Sequence, residues 1–183
     1  MSENQVEGEV PVSLQATTHH TGLKNLDNVL IAVIRVRGKV KKPHDIKKTL
    51  ALFRLFRQNH AVIVKATKSI AGMLFKIKDF AAMGPIDKET LVDLLKKKAR
   101  LEGHRAFDLA AVKALTGKES YEDLADALMS FEITYADIPH ITPIFRLHPP
   151  SGGFLKGTKV PYTRGGPLGN MGEDINKLLE RMI

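Results

Sequence analysis

Apolar and polar positions along this chain switch between two periods, and the switches mark its elements. Residues 28–38, NVLIAVIRVRG, begin as an unbroken apolar run and end with Arg35 and Arg37 alternating with Val36. That is the pattern of a buried strand whose end emerges into solvent. Residues 38–42 read as a mobile basic loop, and Pro43 suits the first turn of a helix. Over 44–58 the period becomes helical: Ile46, Thr49, Leu50, Phe53 and Phe56 share one side, with Lys47, Lys48 and Arg54 opposite. Asn59 and His60 end that helix, and 61–65, AVIVK, reads as a second strand. Ser69 is placed to cap a shorter helix over 69–80, with Ile70, Met73, Leu74 and Ile77 as its core residues. Residues 80–84, FAAMG, make a short third strand. The period is β-α-β-α-β, which predicts a small sheet backed by helices.

Four further segments follow. Asp87 caps a helix over 88–101 with Leu91, Leu94 and Leu95 facing inward, and 106–115 forms another. Ser120 caps a helix over 121–130, and 141–147 reads as a late strand. Residues 173–182 close as an amphipathic helix with Ile175, Leu178 and Leu179 on one face. The fold class is α+β. Residues 1–28 form a flexible arm, 29–86 the β-α-β-α-β core and 87–140 a helical extension. Residues 141–183 hold the late strand, an irregular tail and the last helix.

That tail, 146–169, holds six glycines, four prolines and four Lys/Arg without one acid. Such density rules out a regular helix or strand. A core loop with so much backbone would leave polar groups unsatisfied. The expectation is a segment ordered by an anionic partner, such as a polyphosphate backbone, or else mobile.

Charge sharpens this. The formal net charge is +8. Residues 35–78 carry thirteen Lys/Arg against the single acid Asp45, whereas residues 1–28 are net negative. Segregation on that scale is the footprint of a nucleic-acid binder. Aromatic content is only 6% with no Trp, which argues against base-stacking platforms. With no Cys there is no disulfide, thiolate metal site or cysteine nucleophile. No apolar run approaches the ~20 residues of a membrane span, and the opening does not resemble a secretory signal.

Other chemistry fails on inspection. GGFLKGTK spaces Gly152 and Gly157 like a phosphate-binding loop, but Thr158 precedes Lys159 and Pro161 denies it a helix. Gly166-Pro167-Leu168-Gly169 matches a bare GxxG, yet lacks the preceding helix that such an RNA-binding loop joins. His19, His20, His44, His60, His104, His140 and His148 show no metal-ligand spacing. The acids Glu122, Asp123, Asp126, Glu173 and Asp174 sit where helix starts favour carboxylates. No catalytic set, metal or cofactor is expected.

The run Pro143-Ile144-Phe145-Arg146-Leu147-His148-Pro149-Pro150-Ser151-Gly152-Gly153 is followed by Gly165-Gly166, Gly169-Asn170, Ile175-Asn176-Lys177-Leu178 and Met182. It resembles the end of the archaeal and eukaryotic large-subunit ribosomal proteins of the L-thirty family, called L-seven in eukaryotes. Arg37, Pro43, His44 and Gly72-Met73 are similar to the short bacterial members. The resemblance covers roughly residues 29–183. It implies a three-stranded sheet with both helices on one face, a relative of the ferredoxin-like fold, together with a helical extension and a ribosomal RNA ligand. Two positions depart from the pattern. Ala71 and Ser151 stand where arginines are usual, with Lys68 and Lys156 near enough in sequence to compensate.

The reading is a non-catalytic structural component of the large ribosomal subunit, cytoplasmic and bound to rRNA and neighbouring ribosomal proteins, with 5S rRNA among the candidate ligands. Residues 35–48 would grip phosphates through Arg35, Arg37, Lys39, Lys41, Lys42, His44, Lys47 and Lys48, and the next junction through Lys65 and Lys68. The tail would add Arg146, His148, Gly152, Gly153, Lys156, Lys159 and Arg164. Such contacts position the protein rather than read sequence. The alternatives are a free-standing RNA-binding or assembly factor, or an enzyme on a phosphorylated metabolite. The second needs a catalytic group beside the basic loops, where Asp45 is the sole acid.

Overall fold

The computed structural model describes residues 29–38, 43–154 and 156–183. The arm expected over 1–28 lies outside them, as does most of the basic loop after the first strand. The apolar run forms β1 (Leu30–Arg35), in which all six residues are buried. It is followed by α1 (His44–Leu52), β2 (His60–Lys65), α2 (Lys68–Ile77) and β3 (Ala81–Pro85). β1 is the central strand and pairs antiparallel with both β2 and β3.

Because side chains alternate across a strand, β1 feeds two cores. Ile31 and Val33 face Leu50, Phe53, Leu55, Leu74 and Ile77 from the α1–α2 layer. Leu30, Ala32 and Ile34 face a larger cluster on the opposite side. That cluster is built by α3 (Lys88–Lys98), α4 (Leu109–Thr116), α5 (Tyr121–Met129) and a final helix described below. The sheet is therefore covered on both faces, which is why β1 reads as a continuous apolar run instead of alternating. Leu91, Leu94 and Leu95 of α3 are fully buried as expected, each contributing about 1.5–3 kcal/mol through burial.

α1 ends earlier than its periodicity suggests. Arg54 adopts a left-handed φ of 56°, Leu55 N donates to Leu50 O at 2.9 Å, and Arg54 N donates to Ala51 O at 2.8 Å. These two bonds close a Schellman end, and its usual apolar contact joins Leu50 to Leu55. The chain's phase shifts as a result. Leu55 is the core residue, and Phe56, expected in the core, is 46% exposed. In α2 the cap is Thr67, whose hydroxyl accepts from Ile70 N at 3.3 Å, and not Ser69. Ser120 caps α5 in a reciprocal box with Asp123.

Two short strands widen the sheet beyond the expected three. Of residues 141–147, β4 (Phe145–Arg146) pairs antiparallel to β2, and Ile141 makes only an isolated antiparallel bridge to Leu101. At the other edge β5 (Gly169–Asn170) runs parallel to β3, and α6 (Asp174–Glu180) follows it. The order is β4-β2-β1-β3-β5. Asn176 of α6 is 5% exposed and clamps the last helix to the β3–α3 junction. Its amide nitrogen donates to Asp87 Oδ2 at 2.7 Å and Pro85 O at 3.3 Å, while its oxygen accepts from Asp87 N at 3.1 Å.

The Gly/Pro-rich stretch departs from its expectation: it is held by contacts within the chain. Tyr162 N donates to Leu168 O at 2.7 Å, and the Tyr162 hydroxyl donates to the Asp174 carboxylate. The Arg181 guanidinium donates to Ser151 O and Gly153 O, both at 2.6 Å. Gly166 is buried against Val160, whose carbonyl oxygen would lie 2.1 Å from any Cβ placed there. Backbone density thus finds partners without an external ligand.

Candidate nucleic-acid interface

Strand register sorts the expected binding residues into separate places. Ile34 lies opposite Ala61, Arg35 opposite Ala81, and His60 opposite Arg146. The C-terminal end of β1 therefore gathers Arg35, Arg37, the 54–60 turn and Arg146. Leu30 lies opposite Lys65 at the other end, from which α2 begins with Lys68. The end of β1 and the β2–α2 junction lie at opposite ends of the sheet.

Arg35 corrects the expectation of an emergent phosphate contact. It is 2% exposed. Nη1 donates to Leu55 O at 2.7 Å and Phe56 O at 3.0 Å, and Nε donates to Arg37 O at 2.9 Å. Burial lowers its pKa, yet a guanidinium remains charged at neutral pH. Its charge ties the turn after α1 to the end of β1. Arg37 is also engaged: Nη1 donates to Asp79 O at 3.0 Å, and the guanidinium lies 4.8 Å from the Phe80 ring centroid.

The remaining expected residues divide by setting. His44, Lys47 and Lys48 are exposed on α1, and Lys68 is exposed at the start of α2, one turn before Ala71. Lys39, Lys41 and Lys42 lie outside the described residues. Lys65 points to the other face of the sheet from α2, with Nζ 4.3 Å from the Phe131 ring. In the tail His148 is exposed while its N–H donates to Met182 O at 3.0 Å. Gly152 and Gly153 take φ values of 76° and 73°, a conformation suited to glycine, which leaves the Gly153 carbonyl open to Arg181. Lys159 and Arg164 are exposed. Lys156 Nζ donates to Arg164 O at 3.2 Å, so Arg181 is the cation beside Ser151.

One group was not anticipated as a unit. Phe56, Arg57, His60, Ile144 and Arg146 line a pocket of about 410 Å³. Directly paired residues point to one face of a sheet, so His60 and Arg146 both face the α1–α2 side, where the turn carries Phe56 and Arg57. His60 has its pKa lowered, first by burial and then by Arg146, Arg57 and Arg35. Its ring is therefore held neutral while arginines surround it. The basic composition of 35–78 already contained Arg57, but reading 44–58 as one helix hid the turn that aims it.

Among the described residues, no group of three or more His, Cys, Asp or Glu is gathered as for a metal ion, and no helix is long and apolar enough to cross a membrane.

Residues 31–80 match the family described as Ribosomal protein L30p/L7e. The chain is 43% identical over 153 residues to a protein of Methanocorpusculum labreanum named large ribosomal subunit protein uL30, covering 84% of this chain and 99% of that relative. Proteins of the same name from Methanopyrus kandleri and Archaeoglobus fulgidus are 44% and 42% identical, over 81% and 84% of this chain and 100% and 99% of their own lengths. Identity at that level across essentially the whole of each relative leaves one conclusion: the chain belongs to the L30p/L7e family of ribosomal proteins.

Proposed function

We propose that this chain is a structural, non-enzymatic constituent of the large subunit of the cytoplasmic ribosome, held in place by rRNA and by neighbouring ribosomal proteins. Membership of the family carries the assignment. The observation that supports RNA contact is the collection of exposed cations on the α1–α2 side of the sheet: Lys47, Lys48, Arg57, Lys68 and Arg146. Each neutralised phosphate releases counterions, so affinity built this way falls steeply with salt. A-form duplexes hide their major-groove edges, so recognition through these side chains depends on RNA shape. Arg35 supports the surface from beneath, and the tail adds the exposed His148, Lys159 and Arg164.

Sucrose-gradient fractionation of a lysate after a high-salt wash tests the reading. The expected result is stable co-migration with large subunits. Sedimentation apart from mature subunits would favour the free-standing assembly factor and reject the structural role.

A further inference from the structure

We infer that the Phe56–Arg57–His60–Arg146 pocket receives a single unstacked nucleotide of the bound RNA, with its base against Phe56 and its phosphate between Arg57 and Arg146. The inference rests on the proposed rRNA-binding role and assigns one of its contacts a definite chemistry.

Three features of the pocket converge on that ligand. Its volume, about 410 Å³, lies in the range of small-molecule sites. Its lining separates by chemistry: Phe56 and Ile144 supply apolar surface, and Arg57 and Arg146 supply two cations from different elements. Phe56 is 46% exposed and lines the pocket, so it offers an aromatic surface to a ligand there. An aromatic face takes any base, and a guanidinium fork matches a phosphate. His60 Nδ1 is closed off and has no hydrogen-bond partner within the chain, so a bond from this ring to a ligand must come from Nε2. The ring's depressed pKa keeps it neutral, able to accept or donate a hydrogen bond at a base edge instead of adding a further charge.

The geometry is fixed by devices already present. The left-handed residues Arg54 and Asn59 bracket the turn, with φ of 56° and 62°. Arg35 holds its carbonyls at Leu55 and Phe56. Asn59 N donates to Arg35 O at 2.8 Å, and Leu147 N donates to Asn59 O at 3.1 Å, joining turn, β1 and the segment after β4. A pocket with this much internal fixing is preorganised, which lowers the entropy cost of binding. One aromatic does not make a stacking platform along a strand, so the site holds one base, not a run.

The test uses the full chain and in vitro transcribed large-subunit rRNA. Ultraviolet cross-linking followed by peptide mass spectrometry should place a one-nucleotide remnant on Phe56. Phe56→Leu should weaken binding about tenfold with the salt slope unchanged, because a stacked base is lost and no phosphate contact is. Arg57→Gln should lower the slope by about 0.7, the loss of one single-strand phosphate contact. Urea unfolding of both variants confirms that they remain folded. If rRNA binds but Phe56 carries no cross-link and Phe56→Leu binds like the parent, the pocket assignment fails and the ribosomal reading stands. If the parent chain does not bind rRNA at all, both fail. Saturable binding of free AMP as tight as that of RNA would assign the pocket to free nucleotides and overturn the RNA source.

Discussion

Arg35 provides the sharpest separation between a phosphate contact and an internal clamp. Its guanidinium makes three hydrogen bonds to backbone carbonyls: Leu55 O at 2.7 Å, Phe56 O at 3.0 Å and Arg37 O at 2.9 Å. Replacement by methionine keeps much of the stem's packing and removes all three. The Leu55 carbonyl bond is buried, so that carbonyl bears the full cost of an unmade bond, about 1–3 kcal/mol. The other two bonds are part-buried, so water recovers some of their loss. Losing the buried charge itself returns some desolvation energy. The balance is a loss of about 2–4 kcal/mol, a large share of the 5–15 kcal/mol typical of a domain.

The assay is urea unfolding of the isolated chain, with rRNA affinity measured across a salt series. Arg35→Lys adds the decisive comparison, because it retains the charge and loses the planar fork. A clamp predicts that lysine destabilises by about 1–2 kcal/mol and leaves the salt slope at the parent value. A phosphate contact predicts that Arg35→Met lowers the slope by about 0.7–0.9 and that both variants stay within about 0.5 kcal/mol of the parent. The second pattern would refute the structural account.

Two further outcomes test the packing on the larger core. Gly84→Ala places a Cβ 2.3 Å from Gly172 O and 2.9 Å from Ile175 Cγ2, so α6 must move. The expected loss is about 2–3 kcal/mol by urea midpoint, and an unchanged midpoint would contradict the close approach of α6 to β3. Tyr135 stacks on Phe145 with centroids 4.7 Å apart, and its buried hydroxyl has no hydrogen-bond partner. Burial pushes its pKa well above the usual value for tyrosine. Tyr135→Phe should therefore be neutral or stabilise by up to about 1 kcal/mol in thermal unfolding. A clear loss would mean that the hydroxyl is satisfied.

Elements with a strong local signal were legible in the sequence. The apolar run of β1, the leucines of α3, the Ser120 cap and the apolar face of α6 each required only their own residues. What was not legible depended on distant partners. α1 ends at a left-handed Arg54, and arginine carries no such signal as glycine would. Ser69 and Thr67 are both good caps, and the position of β2 decided between them. β4 and β5 are two residues each and exist because β2 and β3 offer open edges. In the tail, composition left room only for short elements: the ends of β4 and β5 and a 3-10 turn over Tyr162–Arg164. It could not reveal that Asp174 and Arg181, beyond the stretch itself, would satisfy it.

The same limit governed the binding surface, and it changes what the charge block means. Thirteen cations within 35–78 suggested phosphate contacts at the first loop and at the next junction. The antiparallel sheet divides them. Arg35 and Arg37 serve to close one end of the sheet, where Arg57 and Arg146 also lie, and Lys68 stands at the other end. A six-residue strand separates the two ends by about 17–20 Å. No single phosphate reaches across that distance. Sites so far apart contribute nearly additively unless something rigid joins them, and here the joining element is β1 itself, buried on both faces. The two basic ends are thus held a fixed distance apart by one strand. That arrangement explains why the apolar core and the basic ends are written into the same fifty residues.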